Sequence, residues 1–369
     1  MAILISRFIL LLSLLFLCAC HSEEERITDT SPYIYSKPTQ LSDDINTATA
    51  NSNNINTTIL TDLINRLRQG SIVGVDSLLI AKNNELVLEE YFSGWAQDDI
   101  HDLRSATKSI TSLLAGIAID QQLMHLNTPV YPHFDTHYPT TDNWMPEKND
   151  IQIKDFMNMS SGLSCNDNDG NSPGNEERMY RHRDWVKFIL DLPMVRRPSV
   201  RFAYCTGGVQ VVARMIENMS NMSLEEYARN NLFETMGIHQ YHWSFTGSGR
   251  VEGSGHIYMR SRDMLKLGLL VTNDGRWNGH QLVSKQWIDQ LHNPFYVYYG
   301  YFWWHHRFES TDNSFPKTDA IYASGNGGQN IWIFPGLDLV LVFTANNYGQ
   351  RVVSFDIINN YILPAVYGQ

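Results

Sequence analysis

Two pairs of apolar, β-branched segments stand at opposite ends of this chain, and they restrict its fold more than any other feature. Residues 75–81 and 86–92 flank Asn83-Asn84, a pair suited to a tight hairpin turn. Near the other end, residues 330–334 and 339–344 flank Pro335-Gly336, a second turn signal. Between them, residues 184–191, 209–218, 224–232 and 261–271 carry helical apolar spacing. Residues 60–67 read as a short amphipathic helix, and 354–363 as a closing helix stopped by Pro364. The simplest arrangement is an α/β (α+β) domain over residues 59–369. Its antiparallel sheet is formed from both chain ends and flanked by helices, and the middle of the chain is inserted as a mostly helical lobe. No internal repeat is evident.

Ser105-Ala106-Thr107-Lys108 heads a further apolar helical run, Ile110, Leu113, Leu114 and Ile117. Residues i and i+3 lie side by side on a helix. A neutral lysine there can take the serine proton and leave an alkoxide to attack an acyl carbon. A serine at a helix start also offers its backbone N–H to a developing oxyanion. The spacing alone is weak, since roughly one chance match is expected in a chain of this length. Ser314-Phe315-Pro316-Lys317 is such a match, with a proline inside it and no helix behind it, and it reads as a loop.

Composition narrows the class. A formal net charge of -11 removes the electrostatic case for nucleic acid. Hydrophobic content of 43% with 18% charged residues suits a globular core. There is no glycine-rich phosphate loop and no Cys-x-x-Cys pair, so neither cofactor nor metal is expected. His133-Phe134-Asp135-Thr136-His137 alternates ligand types but lies among prolines without a third ligand, and reads as a surface loop. His305-His306 reads as solvent-facing.

At the N-terminus, Arg7 precedes an apolar run too short for a permanent membrane span. The run ends in Leu17-Cys18-Ala19-Cys20, which resembles the bacterial lipobox. That resemblance implies a signal peptide over 1–19, lipid on Cys20, and, because His21 follows, periplasmic display from the outer membrane. Residues 20–58 are polar and read as a disordered tether. Cys165 and Cys205 are the cysteines left in the domain. An exported compartment permits a disulfide between them, and two buried free thiols are the alternative.

Further pieces of a serine acyl-transfer site follow in order. Phe202-Ala203-Tyr204-Cys205 precedes a helix, where a tyrosine can project into a cleft or simply cap the core. Ala323-Ser324-Gly325-Asn326-Gly327-Gly328-Gln329 leads into a strand, and its glycines allow close backbone approach to a ligand. Tyr299, Tyr301, Trp303 and Trp304 could line an acyl pocket or belong to the core. His256, just before the 261–271 helix, could border the cleft.

Arg104-Ser105-Ala106-Thr107-Lys108-Ser109, Met157 to Leu163, Phe202 to Cys205 and Tyr322 to Gln329 together resemble the serine β-lactamase-related family. The esterase and nylon-oligomer (aminohexanoate-dimer) hydrolase branch of its class C-like members is the nearest. The resemblance implies a β-lactamase/transpeptidase-like mixed sandwich and hydrolysis of a small-molecule ester or amide through a Ser105 acyl-enzyme. Lys108 is then the general base and Tyr204 protonates the leaving group. The N–H groups of Ser105 and Asn326 form the oxyanion hole, each donor worth roughly 3 to 4 kcal/mol in the transition state. Ser324, Gly325, His256 and Trp304 are candidates to touch substrate. Penicillin-recognising members carry a cation where this chain has Ala323, and Tyr-x-Asn where it has Tyr204-Cys205-Thr206. Both departures weigh against a β-lactamase or D-Ala-D-Ala peptidase and toward an uncharged or differently charged acyl group. A non-catalytic binding protein on the same scaffold has no need of all three catalytic side chains. The pattern leaves the oligomeric state open, and the lipid is the only membrane contact it implies.

Overall fold

The computed structural model describes residues 31–368; the expected signal segment and Cys20 lie outside them. β1 (Asn46–Thr47), α1 (Thr57–Arg68), β2 (Val75–Lys82) and β3 (Glu85–Tyr91) come first, then β4 (Ile100–Asp102) and α2 (Thr107–Asp120). Five helices follow: α3 (Ile153–Met157), α4 (Glu176–Met179), α5 (Trp185–Leu190), α6 (Thr206–Ser220) and α7 (Leu224–Ala228). β5 (Tyr241–Trp243) and β6 (Ile257–Arg260) precede α8 (Ser261–Thr272), the small hairpin β7 (Arg276–Trp277) and β8 (His280–Gln281), and α9 (Lys285–Leu291). The chain closes with β9 (Tyr299–Gly300), β10 (Trp303–Phe308), β11 (Thr318–Gly325), β12 (Gln329–Phe334), β13 (Leu339–Ala345), α10 (Ser354–Ile357) and α11 (Leu363–Tyr367).

The main sheet has the order β1-β3-β2-β13-β12-β11-β10-β9. Its two halves join where β2 pairs antiparallel with β13, Ala81 opposite Val340 and Leu79 opposite Val342. Both ends of the chain therefore build one sheet, as the hairpins imply. Asn83 and Asn84 take positive φ (52° and 64°), the conformation a two-residue hairpin turn demands. Side chains alternate across the sheet. Leu79, Ala81, Ile331, Ile333, Val340 and Val342 face a core shared with α2 and α8. Leu78, Ile80, Trp332, Phe334, Leu341 and Phe343 face α1 and the C-terminal helices. Each large side chain so buried contributes about 1.5–3 kcal/mol.

The structure differs from the sequence reading in three places. Residues 261–271 form α8, but this helix lies on the sheet against β12 and β13 rather than in the lobe. It is buried on all sides from Ser261 to Val271, as a helix between two layers must be. Its charges are matched there. Arg262 pairs with Asp43 and Glu89, both at 2.7 Å, and Lys266 donates to the carbonyls of Met236 and Gly237. Second, the expected tether is packed from residue 33 onward. Tyr35 donates to the Val87 carbonyl (2.8 Å), Ile45 is buried, and β1 runs parallel beside β3. The tyrosines, Ile45 and Ile55 supply apolar area that a polar average over 20–58 conceals. Third, helix continues through Pro364 to Tyr367. A π turn spans 358–362, and the proline opens the next segment, where a missing N–H costs least.

Candidate active site

β4 ends at Asp102, and the chain turns sharply into α2. Arg104 takes φ 49°, a left-handed conformation costing on the order of 1–3 kcal/mol for a branched-out side chain. Asp102 holds it there. The Arg104 N–H donates to Oδ1 at 2.9 Å, and its guanidinium pairs with Oδ2 at 2.9 Å. One 3-10 turn, Arg104–Ala106, then presents Ser105, half-buried, at the head of α2. Lys108 is 2% exposed. Its Nζ donates to Ser105 Oγ at 2.9 Å and to the Ser254 carbonyl at 2.7 Å. Along the first contact a proton can move from the hydroxyl to a neutral amine. The carbonyl fixes the amine in place through a second bond, so the pair is held in one geometry.

Tyr204 comes to the same place from the extended segment before α6. Its ring lies 5.4 Å from Lys108 Nζ, stacked on Trp304 (5.7 Å) with the edge of Tyr299 beside it (6.2 Å). Among the described residues its hydroxyl makes no hydrogen bond with Ser105 or Lys108; it is the ring that meets the amine. Catalytic hydrogen bonds often tighten only once substrate is bound. The backbone around Tyr204 is clasped on both sides. Asp167 N–H donates to its carbonyl (2.8 Å), and Asp167 Oδ2 accepts from Thr206 N–H (2.6 Å). Cys205 is joined to Cys165 in a disulfide, which settles the alternative the sequence leaves open and ties this segment to the 157–163 motif. Met159 adds a backbone bond, its carbonyl accepting from Ala203 N–H at 2.8 Å.

β11 supplies the facing wall. A Cβ on Gly325 would lie 2.1 Å from the Leu103 carbonyl, so only glycine lets this strand end press against the turn that carries Ser105. Asn326 follows that contact, exposed, in the turn before β12. Ser324 points to the opposite face from Gly325 by strand alternation and accepts from Asn330 Nδ2 at 3.1 Å. Ala323 is buried. Tyr299, Tyr301 and Trp303 are core residues, so of the four aromatics only the half-buried Trp304 remains a candidate for the cleft wall. Adjacent strand residues also separate the two histidines of β10: His306 is exposed, whereas burial pushes His305 down to about 4.

Acidic groups behind the serine were not legible in the sequence. His256 Nδ1 bonds Asp102 Oδ2 at 2.9 Å, and this bond raises the imidazole above its ordinary value. Burial alone would raise Asp102, but the bonds from His256 and the Arg104 N–H hold its carboxyl below the usual range. Glu252 lies 4.0 Å beyond, Oε1 to His256 Nε2, and burial pushes it up to about 7. Asp167 is likewise raised by burial to about 6. The short run Glu252-Gly253-Ser254-Gly255 is the one signal that could have drawn attention to Glu252. A groove of about 870 Å³ lies elsewhere, at the outer sheet edge between Tyr298, His305 and Thr318, and shares no residue with the Ser105–Lys108 pair.

Comparison with known proteins follows the same lines. The family model described as beta-lactamase matches residues 60–357. A 6-aminohexanoate-dimer hydrolase of Paenarthrobacter ureafaciens is 23% identical over 313 residues, covering 77% of this chain and 75% of that protein. Among solved structures, a putative 6-aminohexanoate-dimer hydrolase from Bacillus anthracis superimposes with a TM-score of 0.68 at 16% identity, over 93% of this chain and 89% of that one. A family VIII carboxylesterase superimposes with a TM-score of 0.64 at 13% identity, over 90% of this chain and 99% of that one.

Proposed function

This chain belongs to the beta-lactamase family and is a serine hydrolase; from that premise we propose that it cleaves an ester or amide through an acyl-enzyme on Ser105. The observation that carries the proposal is the buried Lys108 amine, held 2.9 Å from Ser105 Oγ and anchored from behind by the Ser254 carbonyl. Lys108 takes the hydroxyl proton as Oγ bonds to the substrate's carbonyl carbon. The resulting oxyanion is met by the N–H groups of Ser105 and Asn326, which Gly325 brings against each other's segments. The bond to the leaving group then breaks, Tyr204 gives its phenolic proton to that group, and the proton taken by Lys108 restores the phenol. Water completes the cycle by bonding to the acyl carbon as the Ser105 ester breaks, and the serine regains its hydrogen.

Aromatic rings at Phe202, Tyr204 and Trp304 favour an acyl or amine portion with apolar surface. The buried methyl of Ala323 leaves no cation at that position for the carboxylate of a β-lactam. A fluorophosphonate probe tests the reading: wild type becomes covalently labelled, and Ser105→Ala does not. Absence of labelling in folded wild type would favour a binding protein. Rapid nitrocefin turnover would overturn the inference drawn from Ala323. We also propose that the protein is exported to the periplasm and held at the outer membrane through lipid on Cys20. Cys20→Ser should then move it from the membrane to the soluble fraction, and a variant that stays bound refutes the anchor.

A further inference from the structure

The loop from Val195 to Arg201, between α5 and Tyr204, turns its backbone inward and exposes Val195, Arg197, Val200 and Arg201, with Arg196 half-buried among them. Val195 and Arg196 N–H donate to the Gly162 carbonyl at 2.9 and 3.2 Å, and Ser199 N–H to the Ser160 carbonyl at 2.8 Å. Left outside are Val195, 53% exposed, and Val200, 65% exposed. Interleaved with them are Arg196, Arg197 and Arg201. None of the three side chains makes an ion pair, hydrogen bond or ring contact with any described residue. Three unpartnered cations within six residues are notable in a chain of net charge -11, where carboxylates are in excess.

A second loop abuts the first. Phe202 makes edge contacts with Tyr296 (5.7 Å) and Tyr298 (5.3 Å), and Tyr296 packs on Phe295 (5.0 Å). This loop exposes Phe295, Tyr298 and, at 92%, Val297. The result is an apolar ledge with an aromatic belt and a basic margin, reaching inward through Phe202 and Trp304 to Tyr204. Exposed apolar surface concentrated in this way marks a contact site. The chemistry of the margin decides the partner: guanidinium groups without internal carboxylates suit phosphates, and valine with tyrosine suits the boundary between headgroup and acyl chain.

We propose that these two loops dock the domain on an anionic lipid surface, with the mouth of the cleft turned toward that surface. The arginines meet headgroup phosphates while Val200, Val297 and Phe295 enter the acyl boundary. Docking of this kind places the Ser105 cleft beside molecules that partition into the membrane.

The test uses the full chain with vesicles of phosphatidylcholine alone or mixed with phosphatidylglycerol, read by co-sedimentation. The N-terminal apolar segment is common to every variant and both lipids, so the ratio of binding to the two vesicles is the readout. Wild type should prefer the anionic vesicles by roughly a hundredfold at low salt, about fivefold per arginine, and lose the preference at high salt. The triple variant R196E/R197E/R201E should show no preference. Val200→Ser with Val297→Ser should weaken binding to both vesicles. All these variants should hydrolyse a soluble p-nitrophenyl ester as wild type does, which shows them folded. Equal ratios for wild type and the triple variant overturn the proposal. So does a concentration-dependent dimer that Val200→Ser with Val297→Ser abolishes and that shows no lipid preference, since the ledge then serves a second copy of the chain.

Discussion

Gly325→Ala isolates the contact that joins the two halves of the site. The glycine has no left-handed φ to defend, so alanine adds only a methyl group. That methyl would sit 2.1 Å from the Leu103 carbonyl and 3.1 Å from Arg104 Cβ, whereas real Cβ contacts stay beyond 3.0 Å. The end of β11 must therefore retreat from the Ser105 turn by about 0.9 Å. A displacement of about 1 Å in a catalytic constellation typically costs on the order of a hundredfold in rate. That corresponds to about 2.7 kcal/mol of transition-state stabilisation, close to the loss of one oxyanion donor. Overpacking should cost about 1–3 kcal/mol of folding stability as well. The measurement is kcat and KM on a p-nitrophenyl ester well below the unfolding midpoint, with a urea melt of the same protein. Gly336→Ala, where nothing lies within 4 Å, serves as the control and should match wild type. A folded Gly325→Ala protein that keeps kcat within about twofold of wild type would refute the argument that Gly325 sets the Asn326 donor against Ser105.

Lys108→Ala should lower kcat by at least about a thousandfold, because the base and its anchor at Ser254 go together; unchanged turnover removes Lys108 from the mechanism. Replacing both Cys165 and Cys205 by serine should lower unfolding stability by about 4 kcal/mol, the loop-entropy value for a separation of 40 residues. A urea-derived loss under about 1 kcal/mol would mean that the unfolded chain is little constrained by the bridge. Glu252 binds its proton more tightly when folded, so its contribution is fully present below pH 4.5 and is lost as pH rises to about 7. Over that window Glu252→Gln should flatten the stability–pH curve by about 3 kcal/mol, measured as urea midpoints at pH 4.5, 6 and 8. Identical slopes in variant and wild type would show that the carboxyl is already ionised in the fold.

Much of the scaffold was legible because its signals are local. The Asn83-Asn84 turn and the apolar runs of β2, β3, β12 and β13 all act within a few residues. Ser105 and Lys108 sit one helical turn apart, so their meeting follows from helix geometry. Cys165 and Cys205, by contrast, were two thiols of undetermined state until the 157–163 motif and the Tyr204 segment lay side by side. A strand sends adjacent residues to opposite faces, and only the packed core shows that Trp303 is buried while Trp304 is half-buried beside Tyr204.

What the amino-acid order determined on its own was periodicity: which segments become strands or helices, and which serine has a lysine on its own face. Tertiary structure alone decided which charges are stranded without water. Asp102 and His256 are far apart in sequence, as are Asp43 and Arg262 and Lys108 and Ser254. Each pair acquires its energy only when folding excludes solvent from both partners at once, and no local pattern records that coincidence.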